Sequence, residues 1–522
     1  MVRVSYDRER LLFRRQFVLG PRFLEGFSNW NRLSVRPTTK LTVHPDLPAY
    51  QARTGGMSIT LLGYILDPYE PRASDAEIVN RLLASLQGRG VGETVIESTY
   101  PLGGRWILVV DDGSTVLLFT DPIGYRQAFY SLAASSVWCG SQPGILAEVL
   151  DLRVDPGASA FIRAYRRRQP EYWWPGDSSL YKEVRHLLPN HYLDLQTGTP
   201  HRFWPHHELP ERTVEEVVPE NARLLEGLIE SASHRFELSL TVTAGRDTRL
   251  LLAASKAIWH RLYYFTTIHW HLATDHPDVQ IPSRLLSRLG LRHNVIWCPS
   301  RMDKEFRETY ERNMSTAHDV YGPIAQGLYQ QYPRDRVCME GTGMPITTNS
   351  LPRTRDDAGR ETNLETLAWL VEIKYDMPRE EFALDALDRW LSGAAHTGLD
   401  HLSLFYWENR EGNWAAMAQA ESDLVRDALV PYNCRLFLAN ALSVPNAHRA
   451  RPSYVLQEAL TRHLRSEVLN EPINPPFKHT AVSTVREFLR NPVRKDMDWL
   501  YSRTIGTWRE HGLRPWVGFR QR

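Results

Sequence analysis

The sequence is poor in cysteine, has no long apolar run and carries no excess of charge of either sign. Only four cysteines occur in 522 residues: Cys139, Cys298, Cys338 and Cys434. They lie far apart and form no CxxC pair, which excludes a disulfide framework and a zinc knuckle. A reducing, cytoplasmic setting is the expectation. Lys plus Arg is 62 and Asp plus Glu is 61, a net charge of +1. That balance gives no general pull toward nucleic acid or an anionic membrane, so neither is expected as a partner. No stretch approaches the roughly 18 apolar residues of a membrane span. The opening MVRVSYDRERLLFRRQF is charged throughout and lacks the apolar run of a signal peptide. No internal repeat or low-complexity segment stands out.

What is present suffices for several packed domains. Hydrophobic residues make up 42% of the chain, and at roughly 150 residues per domain the length allows two to four. The sixteen tryptophans are expected to pack in cores and between domains.

The two halves read differently. Residues 1–205 alternate short apolar runs with turn residues. MSITLLGYIL (57–66), RWILVVDD (105–112) and STVLLFTD (114–121) read as strands, with a hairpin turn at Asp112-Gly113. Ser74 and Glu77 have capping-box spacing ahead of IVNRLLASL, the one helix expected there. The segment 187–213 reads as a last hairpin and a linker, placing a boundary near 206. From about 215, strands alternate with helices. Strands are expected at 237–243, 261–268, 293–298 and 335–340, and helices at 247–257 and 275–290, the latter closed by Gly290. That alternation implies a parallel sheet covered on both faces. Beyond 365 the chain reads as mostly helical.

The sharpest feature is LSLTVTAGRDTRLLLAAS (238–255). A buried strand runs into small residues and then straight into an apolar helix. Small residues let the backbone approach an anion, and a helix start aims free N–H groups at it. Thr243 and Thr248 add hydroxyls. Asp247 repels phosphate and fits there only with a divalent cation that the phosphates share. The loop lacks the GK[ST] of a Walker A sequence. On these residues alone, an ordinary helix cap with Asp247 in the first turn stands as the other reading.

TAGRDTR resembles the SGGLDS pyrophosphate loop of asparagine synthetase and its relatives, PP-loop enzymes that cleave ATP between the α and β phosphates. Further segments resemble that family in its order. DPIGYRQAFYS (121–131), WCGSQPGILAEVL (138–150) and LLPNHYLDLQTGTPHRFW (187–204) are similar to its amino-terminal domain. VCMEGTGM (337–344) and PYNCRLFLANALSVP (431–445) are similar to its synthetase domain.

The resemblance implies an α/β protein. An amidotransferase-like αββα sandwich (1–205) would precede a Rossmann-like PP-loop domain with helical additions (206–522). It implies ATP and Mg²⁺, and an amide-forming ligase that adenylates a carboxylate, releases pyrophosphate and passes the acyl group to an amine. The expected partners are a small-molecule or peptide carboxylate and an amine, with a homodimer as one option for assembly. Val242 and Thr267 would lie near the adenine. Thr243, Gly245 and Thr248 would cradle pyrophosphate, and Asp247 would bind Mg²⁺. Cys338 and Met339 would contact the nucleotide. Glu340 would act as a base for the amine or anchor the substrate. Lys478 would offset charge on the α-phosphate and the acyl oxyanion.

Two departures from the family are visible. The family's amino-terminal catalytic cysteine is absent, as in β-lactam synthetases and some lasso-peptide cyclases, so glutamine hydrolysis by that route is not expected. Its second metal-binding aspartate falls on Gly343, for which Asp275 or Asp278 would have to substitute. The alternative is therefore a catalytically impaired binding or regulatory protein that keeps the fold. His269, His271 and His276 read as polar loop residues rather than a metal site. Tyr165 to Arg168 reads as a surface turn.

Overall fold

The computed structural model describes residues 6–476, apart from 87–90, 132–135, 270, 271, 273, 315, 335, 349, 350, 352–361, 395 and 396. Twelve strands among the described residues build the first half: β1 (Phe17–Gly20), β2 (Asn31–Arg36), β3 (Thr39–Val43), β4 (Ala49–Thr54), β5 (Met57–Leu66), β6 (Gly103–Asp111), β7 (Val116–Thr120), β8 (Phe129–Ser131), β9 (Trp138–Gly140), β10 (Val184–His186), β11 (His191–Asp194) and β12 (Thr199–Arg202). They form two antiparallel six-stranded sheets, ordered β10-β8-β9-β1-β3-β2 and β12-β11-β7-β6-β5-β4.

The period of two along each strand decides which layer a side chain enters. Phe17 and Leu19 of β1 meet Ile107 and Val109 of β6 between the sheets. Val18 points the other way, toward Ile145 and Leu146 of the helix Pro143–Leu150. Leu108 and Val110 face the helices Asp75–Ser85 and Val91–Thr99 through Val79, Leu82 and Val95. The result is the expected αββα sandwich. The capping box of Ser74 and Glu77 forms as the spacing predicts.

The sandwich holds more helix than the sequence reading expected. Helices open on Pro143 and, behind the N-cap Asp155, on Pro156. Proline at the first helical position is a start signal. The second of these helices, Pro156–Arg168, corrects the surface turn expected at Tyr165 to Arg168: Tyr165 is fully buried and the arginines end a helix.

The second half carries a parallel sheet: β13 (Glu237–Thr241), β14 (Tyr263–Ile268), β15 (His293–Trp297), β16 (Arg336–Met339) and β17 (Ala428–Leu429). Its order is β15-β14-β13-β16-β17, and every pairing is parallel. Both faces are covered. Phe265, Ile296 and Cys338 pack on Phe306 and Leu328, while Leu240, Tyr264 and Met339 pack on Leu250 and Leu285. β17 is too short to show in the sequence. No helix among the described residues is long and apolar enough to cross a membrane.

Two features lock the halves together. The helix Val214–Arg235 lies so close to the sandwich that a Cβ on Gly227 would sit 2.1 Å from the Pro68 carbonyl oxygen. Nearby in the second half, Asp423 and Asp427 receive the guanidinium groups of Arg105 and Arg126. Arg105 is bidentate on Asp423 at 2.5 and 2.8 Å and reaches Asp427 at 3.2 Å. Arg126 contacts the same two acids at 3.2 and 3.5 Å. Asp427 also accepts the N–H of Ala428 at 2.9 Å, at the start of β17.

Burial raises the Asp427 pKa, but Arg126, Arg15 and Arg105 more than offset it and bring the value to about 2. The folded value lies below the unfolded one near 4. This stabilisation is therefore complete above about pH 4 and is lost as pH falls through about 2. Asp427→Asn should melt at a lower temperature than wild type at pH 6, with the gap narrowing between pH 4 and 2 in circular-dichroism melts. Gly227→Ala should lower stability by about 1–3 kcal/mol by overpacking, although alanine is the better helix former by about 1 kcal/mol; urea unfolding measures it.

Candidate functional site

In an open α/β sheet, loops at the carboxyl ends of the strands converge where the strand order reverses. Here that point lies between β13 and β16, whose following loops are 242–245 and 340–343. Val242 is buried; its N–H donates to the Phe265 carbonyl at 3.1 Å and its carbonyl accepts the Thr266 hydroxyl at 2.7 Å. Gly245 then stands at the N-cap of the helix Arg246–Ala254 and offers no side-chain acceptor.

The loop is braced from within. Thr243 N–H donates to Thr248 Oγ1 at 3.2 Å, Gly245 N–H to Thr243 Oγ1 at 3.1 Å, and Ala244 N–H to Asp278 Oδ1 at 2.9 Å. No acceptor among the described residues lies on the N–H of Arg246, Asp247 or Thr248. Such unsatisfied donors at a helix start suit an anion.

Asp247 does not cap the helix. Its backbone carbonyl accepts the Tyr432 hydroxyl at 2.6 Å, but its carboxylate receives no hydrogen bond among the described residues. Burial and, second, the nearby Glu411 carboxylate push its pKa up to about 7, against a smaller opposing pull from Arg246. The Arg246 guanidinium stacks 4.2 Å from the centre of the Tyr454 ring. A carboxylate without donors, beside a second acid and an open helix start, fits a divalent cation.

The 340–343 loop presses on this corner. A Cβ on Gly341 would lie 3.0 Å from Asp247 Cβ and 3.2 Å from Thr248 N, so a side chain there would push the two loops apart by a few tenths of an ångström. Gly343 has φ +86°, and a Cβ there would lie 2.8 Å from Ile123 Cδ1 of the sandwich. Its N–H donates to Glu411 Oε2 at 3.2 Å. Glu340 Oε2 accepts Gln419 Nε2 at 2.5 Å, and its Oε1 pairs with the Arg426 guanidinium. With both oxygens engaged, Glu340 is set to orient a neighbour; taking up a proton requires that pair to open.

The remaining expected residues divide by what they expose. Thr267 is half-buried near the end of β14. The side chains of Val242, Cys338 and Met339 are buried in the core, which leaves backbone as what they can present to a ligand. Burial pushes the Cys338 thiol up to about 11 and those of Cys298 and Cys434 to about 12, so none is an activated thiolate. Lys478 and His271 lie outside the described residues. The chain leading to Lys478 is clamped on the loop: Asn474 N–H donates to the Ala244 carbonyl at 3.1 Å, and Arg249 donates to the carbonyls of Val468, Glu471 and Pro472 at 3.0, 2.7 and 2.7 Å. Of the two acids expected as substitutes for the one missing at Gly343, Asp275 is exposed and Asp278 lies against the 242–245 loop, where it accepts the Ala244 N–H.

Sequence reasoning missed Glu411, Tyr432, Gln419 and Arg426. Glu411 lies in the π-helical segment Tyr406–Ala415, inside the stretch beyond 365 that is expected only to be mostly helical. Its signal is the wider helix itself, a form that recurs at functional sites but leaves no pattern in sequence.

No protein-family model matches the sequence, and no curated protein matches it. Among solved structures, the chain is similar over 64% of its length to 71% of a glutamine phosphoribosylpyrophosphate amidotransferase from B. subtilis, complexed with ADP and GMP, at 10% identity and a TM-score of 0.24. It is similar over 59% of its length to 76% of a chain described as the allosteric regulatory enzyme of purine biosynthesis, at 9% identity and a TM-score of 0.24. Likeness at this level adds nothing to the topology already described.

Gly341→Ala, whose Cβ would lie 3.0 Å from Asp247 Cβ and 3.2 Å from Thr248 N, should lower stability by about 1–3 kcal/mol through overpacking, measured as a lower melting temperature than wild type in thermal melts.

Proposed function

We propose that the chain is an ATP-dependent amide-forming ligase of the asparagine synthetase kind. The observation that supports this best is the corner at the strand-order reversal, where an uncapped helix start, a donor-free carboxylate and a tightly opposed glycine loop come together. The amides of Arg246 to Thr248 hold the pyrophosphate end of ATP, and Thr243 and Thr248 shape the cradle. Asp247 would hold Mg²⁺, which when bound neutralises charge on the leaving pyrophosphate.

A substrate carboxylate oxygen attacks the α-phosphorus as the bond to the β-phosphate breaks. An amine then attacks the acyl carbon, AMP leaves, and the amine gives up a proton. Glu340, held by Arg426 and Gln419, positions the acceptor side of the cleft. Lys478 offsets the growing negative charge. The acid is a small molecule or peptide, and the amine is ammonia or a group on the substrate itself.

The engagement of both Glu340 oxygens favours a second reading, a fold that binds nucleotide without turning it over. One experiment separates the two. Purified protein with Mg-ATP and a panel of carboxylic acids and amines should release pyrophosphate, and Asp247→Asn should lower that release by about 100-fold or more, as for loss of a principal charge-stabilising group. Nucleotide binding without release under every substrate pair establishes the second reading. Release that Asp247→Asn leaves unchanged overturns the role given to the loop.

A further inference from the structure

Several buried acids among the described residues are answered by cations or by several donors. Glu408 is fully buried and meets Arg202, Asn190 and the Trp390 indole. Glu421 is tied to His318 and the Tyr310 hydroxyl. Asp121 accepts three backbone N–H groups and Asn433.

Glu411 breaks the pattern. It is 1% exposed, and both of its hydrogen bonds fall on one oxygen: Oε2 accepts the Tyr125 hydroxyl at 2.8 Å and the Gly343 N–H at 3.2 Å. Oε1 has no donor among the described residues. Arg410 favours the charged form of the group but forms no ion pair with it among the described residues, so one oxygen stays open to a further partner.

Its position says what that is. Gly343 is where the expected second acid of the metal site is missing, and the left-handed backbone there, with φ +86°, would strain any side chain. Glu411 touches the Gly343 end of the same short loop whose Gly341 touches Asp247. The two carboxylates thus flank one four-residue loop, and each has an oxygen without a donor.

We infer that Glu411, entering from the π-helical segment, supplies the second carboxylate of a Mg²⁺–nucleotide site with Asp247, in place of the acid absent at Gly343. No group of three or more metal-binding side chains exists among the described residues. Mg²⁺ is commonly held by one or two carboxylates, with phosphate oxygens and water completing six ligands. The inference rests on the proposed nucleotide site, but it concerns which residue completes it.

The test uses the full chain with Mn²⁺ as the probe ion and α,β-methylene-ATP, followed by electron paramagnetic resonance, with thermal melts run in parallel. Wild type should take up Mn²⁺ only with the nucleotide. Glu411→Gln keeps an acceptor for Tyr125 and Gly343 and removes the charge. It should weaken Mn²⁺ uptake at least tenfold, melt no lower than wild type without ligand because repulsion with Asp247 is gone, and lose most of the metal-dependent rise in melting temperature. Glu411→Asp, which keeps the charge, should retain part of that rise. Wild-type Mn²⁺ affinity in Glu411→Gln, with Asp247→Asn deficient, overturns the inference and leaves the nucleotide site standing. A lower ligand-free melting temperature with Mn²⁺ uptake intact makes Glu411 a packing residue and also overturns it. If wild type binds no nucleotide, the proposed function and the inference fall together.

Discussion

The site depends on one steric contact, the approach of Gly341 to the start of the helix Arg246–Ala254. A single methyl group on Gly341 would press on Asp247 Cβ and the Thr248 amide. Because the contact is made without a side chain, two loops from strands far apart in the chain share one corner. Parallel pairing of β13 with β16 sets their height, since Leu240 lies opposite Met339 just before each strand ends. A different strand order would leave the same residues on separate loops with nothing to hold between them.

Around that corner the charges are placed unevenly. Where the halves meet, arginine and aspartate are matched in a closed set, with Arg105 and Arg126 on Asp423 and Asp427. Elsewhere, Glu411 and Asp247 face a common loop, and neither forms an ion pair among the described residues, although Arg246 and Arg410 favour their charged forms. The first arrangement consumes its own field, which is what a structural joint needs. The second leaves two carboxylates short of partners, close to a helix start whose first N–H groups also lack acceptors among the described residues. That pairing of open acids with open amides is what the proposed metal–nucleotide site rests on.

Much of the scaffold was legible in the sequence because its signals are local. Met57–Leu66 reads as a strand from its composition, Ser74 and Glu77 announce their helix by spacing, and the 243–248 turn stands out for its small residues between a strand and an apolar helix. The helices at Pro143 and Pro156 carried a start signal that the reading passed over. The rest was hidden for physical reasons. β17 is two residues long, shorter than any periodicity. Glu408 and Glu411 are charged residues held in the interior, where Arg202, Asn190 and Tyr125 reach them from more than 200 positions away. Whether a charge is inside or outside is decided by such distant partners, and one local window does not contain them.

Tyr125 and Ile123 belong to the sandwich, yet the first holds Glu411 and the second walls Gly343. The amino-terminal half is thus part of the lining of the cleft, in addition to its own fold. Two of its side chains are structural members of the neighbouring corner, so the loop that carries them is constrained by both halves at once. Excising the first half would leave the loops 242–245 and 340–343 facing a cleft with one wall missing.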